Sequence, residues 1–241
     1  DPNLLLLGEA GSGKSHLIAD LITSAATRCQ PALLLLGERY LGSGDPWTAT
    51  IESLGWDHSA DDLLAALDQE GLLAGRPALL CIDALNESEH RRLWNSHLIQ
   101  FAKRVSHFPH VKLLVSCRSD FALITLPEAV RSGSSTSWPS VQHQGYGAEV
   151  IEAIEVYFTE FGVRAPYFPP ALAEFRNPLF LRVFCEAFSG QEIPTGPVGL
   201  DQVMRARIDR LCAQIQKEID CDPEDTRAAL KAIAKNIAEN G

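Results

Sequence analysis

The sequence predicts an α/β fold built on a parallel sheet, followed by an all-helical region. Three observations predict it. Apolar runs at residues 4–7, 32–36, 78–82 and 112–115 are continuous rather than alternating, the pattern of strands covered on both faces. Helical spacing fills the intervals, and strand–helix alternation implies parallel strands joined by right-handed crossovers. Beyond about residue 147 the strand pattern stops and helical spacing continues alone.

The first strand runs directly into Gly8-Glu9-Ala10-Gly11-Ser12-Gly13-Lys14-Ser15. This segment fits G-x-x-x-x-G-K-[ST] at every position. A helical pattern with Leu17, Ile18, Leu21 and Ile22 follows at once. Strand, loop and helix in that order are the context that gives the motif its meaning. Glycines at 8, 11 and 13 let the backbone wrap phosphates with its N–H groups turned inward. The helix N-terminus adds a favourable dipole, Lys14 reaches the β- and γ-phosphates, and the Ser15 hydroxyl ligates Mg²⁺. The nucleotide-binding candidates are therefore residues Gly8 to Ser15, with His16 directly after them. An incidental Gly-rich turn is the weaker reading, because both flanking elements are in place. The second Gly-rich stretch, Gly42-Ser43-Gly44-Asp45-Pro46, has no following Lys and reads as a surface turn, with a loop over the nucleotide as the lesser reading.

Further along, Ser59 with Asp62 three residues later forms a capping box ahead of Leu63, Leu64 and Leu67. The third strand ends in Asp83, placed where ligands bind in open α/β sheets. Asp83 is the candidate to hold Mg²⁺ through a water. Glu87 is the candidate general base for an attacking water, and Asn86 beside it is a candidate to help position that water. The competing reading makes Asp83 a strand end and Glu87 the first turn of a helix. Trp94, Leu98, Phe101 and Val105 define one helical face. The fourth strand leads to Arg118, just past its end on the same rim as Asp83. A guanidinium there can grip a γ-phosphate with a fork of donors, or it can pair with Asp120.

Residues 132–139 read as a Ser/Gly-rich loop and Val141 to His143 as a short strand. Val150, Ile154, Tyr157, Phe158 and Phe161 then share a helical face. Pro166, Pro169 and Pro170 break the chain, and a helix runs from Pro178 to Phe188. Asp222-Pro223 opens the last helix, with Ala229, Ile233 and Ile237 expected on its inner face. The expected domains are a core at 1–147, a helical domain at 148–199 and a further helical region at 200–241.

Composition narrows the function classes. The 31 acidic residues against 21 basic ones give a net charge of −10, which argues against general nucleic-acid binding by this chain. At 46% hydrophobic and 22% charged it is not a disordered chain. No apolar run reaches the roughly 18 residues of a membrane span, and no secretory leader is legible. Six cysteines without a C-x-x-C pair argue against zinc and for a reduced, cytoplasmic protein. The first residue, Asp1, and the helical pattern at the end fit a piece of a longer chain.

Together these residues resemble the STAND class of P-loop NTPases, of the additional-strand, AAA-like branch. NACHT-type members and the bacterial antiviral AVAST group are most similar. Asp83-Ala84-Leu85-Asn86-Glu87 is similar to that class's small-residue variant of the Walker B motif. Ser116-Cys117-Arg118 is similar to its sensor arginine, and Asn177-Pro178-Leu179 to the motif whose proline packs against the nucleotide. The resemblance implies a five-stranded parallel sheet, ATP and Mg²⁺ as cofactors, Lys14, Glu87 and Arg118 as catalytic groups, and Pro178 as a nucleotide contact. It also implies slow ATP turnover that controls self-association, an absent effector, and an absent C-terminal sensor triggered by a phage protein. Asn86 departs from the acid that many NACHT proteins carry, and the winged-helix histidine of the class is not identifiable. A nucleotide or small-molecule kinase and a non-hydrolysing ATP-binding scaffold are the alternatives. A GTPase is disfavoured because no N/T-K-x-D segment is present.

Overall fold

The continuous apolar runs become five parallel strands: β1 (Asn3–Gly8), β2 (Ala32–Leu36), β3 (Ala78–Asp83), β4 (Val111–Arg118) and β5 (Ser140–His143). The computed structural model describes residues 3–131, 138–165, 173–193, 199–219 and 223–240. The sequence readings on 132–137, on Pro166, Pro169 and Pro170, and on the Asp222 cap lie outside them. The chain divides into two units, Asp1–Gln144 and Gly145–Gly241.

In the first unit the strand order is β2-β3-β4-β1-β5, parallel throughout. Strand β4 thus lies between the loop-bearing β1 and the Asp83-bearing β3. That inserted strand defines the additional-strand arrangement expected from the resemblance. Leu6 and Cys81 on one face pack with Ile18 of α1 (Lys14–Thr27). The other face carries the larger core. It is covered by α2 (Pro46–Leu54), α3 (Ala60–Leu73), α4 (Leu93–Val105) and the short α5 (Ala122–Thr125) and α6 (Glu128–Arg131). The spacing-derived face of α4 is borne out: Trp94, Leu98, Phe101 and Val105 are all closed off from solvent. Phe101 stacks on Trp47 of α2 at 4.0 Å and meets Trp94 edge-on at 5.5 Å. Such aromatic pairs add about 1 kcal/mol each beyond area burial. The Ser59–Asp62 capping box forms as read, with Ser59 N–H donating to Asp62 Oδ2 at 3.0 Å.

The second unit contains α7 (Val150–Phe161), α8 (Pro178–Ala187), α9 (Leu200–Ile219) and α10 (Pro223–Asn240). Its core gathers Val150, Ile154, Phe158, Phe175, Leu181 and Phe184. Asn177 Oδ1 accepts from the Leu179 and Phe180 N–H groups, so the side chain caps α8 with Pro178 in its first turn. One expectation is corrected. Ala229 and Ile233 of α10 are exposed rather than inward, Ile233 by 56%, and the side chain of Ile237 lies outside the described residues. Helix α10 packs on α9, and its apolar stripe finds no further layer among the described residues.

One close approach matters for everything at the sheet's C-terminal rim. A Cβ on Gly37, directly after β2, would lie 1.9 Å from the Ala84 carbonyl oxygen and 2.7 Å from its carbon. The backbones after β2 and β3 therefore touch, and only glycine permits it. Gly37→Ala should cost about 1–3 kcal/mol by overpacking. Gly44→Ala, with open space around its Cβ, should stay within about 0.5 kcal/mol. Urea unfolding of the two variants checks this, and equal midpoints would contradict the contact.

Candidate functional site

The loop after β1 begins with glycine because nothing larger fits. A Cβ on Gly8 would lie 2.8 Å from the His143 carbonyl oxygen of β5 and 2.8 Å from Ser12 Oγ. Gly13, the N-cap of α1, stands at φ 101, a left-handed conformation that side chains disfavour. The Ser12 N–H donates to Glu9 O at 3.3 Å and closes the turn. The Lys14 ammonium folds back over the loop and donates to Gly8 O and Glu9 O, each at 2.9 Å. An ammonium has three donors, so one N–H remains for an acceptor that the loop surrounds. Ser12 Oγ is closed off from water and has no hydrogen-bond partner among the described residues. A buried hydroxyl left unpaired costs about 1–3 kcal/mol. Phosphate oxygens in the loop would satisfy both groups, so the residues present fit a polyphosphate. Ser15 and His16 are exposed in the first turn of α1, where a hydroxyl oxygen suits a hard divalent cation.

Across the rim, Asp83 ends β3 and is 7% exposed. Its Oδ1 accepts a hydrogen bond from Ser116 Oγ of β4 at 2.5 Å. Its Oδ2 accepts none from the described residues, and oxygen donors of this kind suit Mg²⁺. Register places Gly8 opposite Arg118 and Asp83 opposite Leu36, so the phosphate loop, Asp83 and Arg118 share one end of the sheet. Lys14 is 8% exposed. Burial lowers its pKa, the Asp83 carboxylate raises it again, and the Arg118 guanidinium lowers it.

The chain leaves β3 through Ala84, at φ 57, into a single 3₁₀ turn, Leu85–Glu87. The competing reading, in which Glu87 begins the next helix, does not hold: Glu87 closes the 3₁₀ turn and α4 begins at Leu93. The turn is pinned on several sides. Ala84 N–H donates to Ser116 Oγ at 2.7 Å. Asn86 Oδ1 accepts from the Arg118 N–H at 2.9 Å. Trp94 Nε1 donates to Ser88 Oγ at 2.8 Å, and Glu89 N–H to Tyr40 O at 3.2 Å. Leu85, Asn86 and Ser88 are buried, and Glu87 is the one exposed side chain between Ala84 and Glu89. The Asn86 amide oxygen is thus occupied in tying the turn to β4.

Arg118 is the last residue of β4 rather than just past it. Its guanidinium is held by Asp120, Nε to Oδ1 at 3.1 Å and Nη2 to Oδ2 at 2.5 Å, and lies 4.8 Å over the Phe121 ring. The carboxylate pairing that competed with the phosphate reading is therefore present. Pro178 belongs to the second unit, where it opens α8. Sequence reasoning passed over three residues at this rim. Ser116 is a polar residue ending an apolar run, a signal that could have singled it out. Gly37 carries no sequence signal. His143 flanks Gly8, and burial, then Lys14, lowers its pKa. Burial also pushes the neighbouring thiols up, Cys81 to about 12 and Cys117 to about 11, so neither is a thiolate at neutral pH. Among the described residues no His, Cys, Asp and Glu cluster forms a metal site by itself, and no helix is long and apolar enough to cross a membrane.

No protein-family model matches the chain, and no curated protein does either. Solved structures do. The AMPPCP-bound DnaA from Aquifex aeolicus superimposes with a TM-score of 0.52 at 14% identity, covering 90% of this chain and 62% of that one. A DNA replication initiation factor gives 0.51 at 11% identity, over 92% of this chain and 65% of that one. A DnaA bound to AMPPCP and single-stranded DNA gives 0.51 at 13%, over 89% and 62%. The chain spans less than two thirds of the length of each. With the strand order and the loop geometry, these likenesses define the class: the chain has a P-loop NTPase fold of the additional-strand, AAA-like branch.

The lowered Lys14 pKa has a directional consequence. Only the protonated amine attracts phosphate, so affinity for a triphosphate should hold at low pH and fall as pH rises through a value below the usual lysine range of about 10.4. Asp83→Asn removes the group that does most to raise this pKa, so the fall should move to lower pH. Binding of a fluorescent triphosphate in EDTA, measured against pH for both forms, checks the sign.

Proposed function

We propose that the chain is the ATP-binding and ATP-hydrolysing module of a STAND-type signalling switch. One observation carries the hydrolytic part of the reading: the turn after Asp83 is pinned through its backbone and buried side chains, yet presents a single exposed carboxylate, Glu87. A general base needs that combination of fixed position and access to water. In the reaction, the loop amides and Lys14 hold the β- and γ-phosphates. Glu87 takes a proton from a water as its oxygen bonds to the γ-phosphorus, and the bond to the β–γ bridging oxygen breaks, leaving ADP and phosphate. Mg²⁺, when held by Ser15 and Asp83, neutralises charge on the phosphate oxygens. Arg118 reports on the γ-phosphate by exchanging Asp120 for it.

ATP or ADP occupancy then controls self-association and an effector outside this chain. The trigger is a protein, in antiviral defence a phage protein, recognised by a further region in the cytoplasm. Nucleotide in the DnaA structures, named there as AMPPCP, supports the nucleotide part of this reading.

The test compares the parent chain with Lys14→Ala and Glu87→Gln for ATP and GTP binding and for phosphate release. The expected result is ATP preference with slow turnover. Lys14→Ala should lose ATP binding by about two orders of magnitude, as expected for loss of charge-assisted phosphate contacts. Glu87→Gln should bind normally and not hydrolyse. Lys14→Ala binding as tightly as the parent would overturn the site, and hydrolysis intact in Glu87→Gln would overturn the base. Phosphate transfer to an added acceptor instead of water would indicate a kinase.

A further inference from the structure

We infer that Ser116 is a positioning residue for this site, one hydroxyl that orients both the metal-holding carboxylate of Asp83 and the backbone carrying Glu87. The inference rests on the nucleotide-site reading above. Main-chain pairing between β3 and β4 runs to Ile82 opposite Val115. Two residues further the backbone leaves β3 through the left-handed Ala84, whose N–H bonds a side chain instead of the β4 backbone. The Ser116 side chain takes over. Its Oγ accepts from Ala84 N–H at 2.7 Å and donates its only proton to Asp83 Oδ1 at 2.5 Å. Ser116 itself is fully buried, so water cannot replace either bond.

A hydroxyl is the smallest group that can donate and accept at once. The donated bond fixes the Asp83 rotamer and occupies one acceptor site of Oδ1, so Oδ2 is the oxygen left free of protein bonds among the described residues. The accepted bond fixes the first residue of the turn that ends in Glu87. Partners that orient a metal-holding carboxylate are commonly worth 10–100-fold in metal affinity. A residue there only to fill space could be any small apolar side chain, as Val115 and Cys117 on either side are apolar.

The test uses the 241-residue chain bound to a fluorescent ATP analogue in EDTA and then titrated with Mg²⁺, with Mn²⁺ electron paramagnetic resonance as a second readout. Ser116→Ala should bind the analogue in EDTA within about twofold of the parent and need about tenfold more Mg²⁺ for half-saturation. Ser116→Thr and Ser116→Val have nearly the same shape and differ in the hydroxyl. Threonine should keep the parent midpoint and valine should shift it as alanine does. Equal midpoints for threonine and valine overturn the inference, as does an unshifted alanine variant. So does failure of all three to bind in EDTA, which would make Ser116 a core residue only. Asp83→Ala separates the two levels. If it leaves the Mg²⁺ midpoint unchanged, the reading of Asp83 fails; if it shifts the midpoint and Ser116→Val does not, only the role of Ser116 fails.

Discussion

A lysine ammonium and an aspartate carboxylate, both nearly closed off from water, share the C-terminal end of one sheet. That constraint organises the rest of the first unit. Taking charges out of water costs several kcal/mol each unless close partners replace the lost hydration. Lys14 recovers it from two loop carbonyls, which requires the loop to curl tightly and so requires glycine at 8 and 13. Asp83 recovers it from Ser116, which requires β4 to lie beside β3. The inserted strand is therefore a condition of the site as well as a feature of topology. It brings Ser116, and through the strand end Arg118, next to the strand that carries the acid.

The turn from Ala84 to Ser88 shows how rigidity and access are reconciled. The anchors come from three separate places: Gly37 after β2, Ser116 and Arg118 on β4, and Trp94 on α4. Trp94 is in turn held by Tyr40 and Phe101 in the aromatic cluster that fills the core. Packing on one face of the sheet is thus transmitted to a surface carboxylate through hydrogen bonds rather than through direct burial of that carboxylate. Glu87 remains exposed to solvent while its backbone is pinned. A turn held only by its own residues would trade one of those properties for the other.

Strands, loop and the faces of α4 and α7 were legible because each depends on local spacing. Continuous apolar runs, a Gly-Lys-Ser string and a 4-3-4 repeat need no knowledge of partners. The contacts that fix the site were not legible for the opposite reason. Ser116 meets Asp83 across 33 positions, and Asn86 meets Arg118 across 32. Both pairings follow from strand order and register, which spacing does not specify. Asn86 illustrates the consequence. Its position next to Glu87 suggested water positioning, whereas its amide oxygen secures β4. The outward Ile233 of α10 has a related cause: an apolar stripe predicts a buried face only if a layer exists to cover it.

An acidic chain that binds a polyanion on the proposed reading must confine attraction to the site itself. Net charge of −10 gives no long-range steering toward phosphate. The attraction comes from loop amides, the α1 N-terminus and Lys14, all short-ranged. Arg118 adds nothing while Asp120 holds it, because the bidentate pair is close to neutral from a distance. Moving that guanidinium from a carboxylate to a γ-phosphate exchanges one forked, charge-assisted contact for another, so the balance between them is small. A small balance is what allows the presence of a single phosphoryl group to decide which partner wins. On the proposed reading, Asp120 as well as Arg118 would then set how strongly the end of β4 distinguishes a triphosphate from a diphosphate.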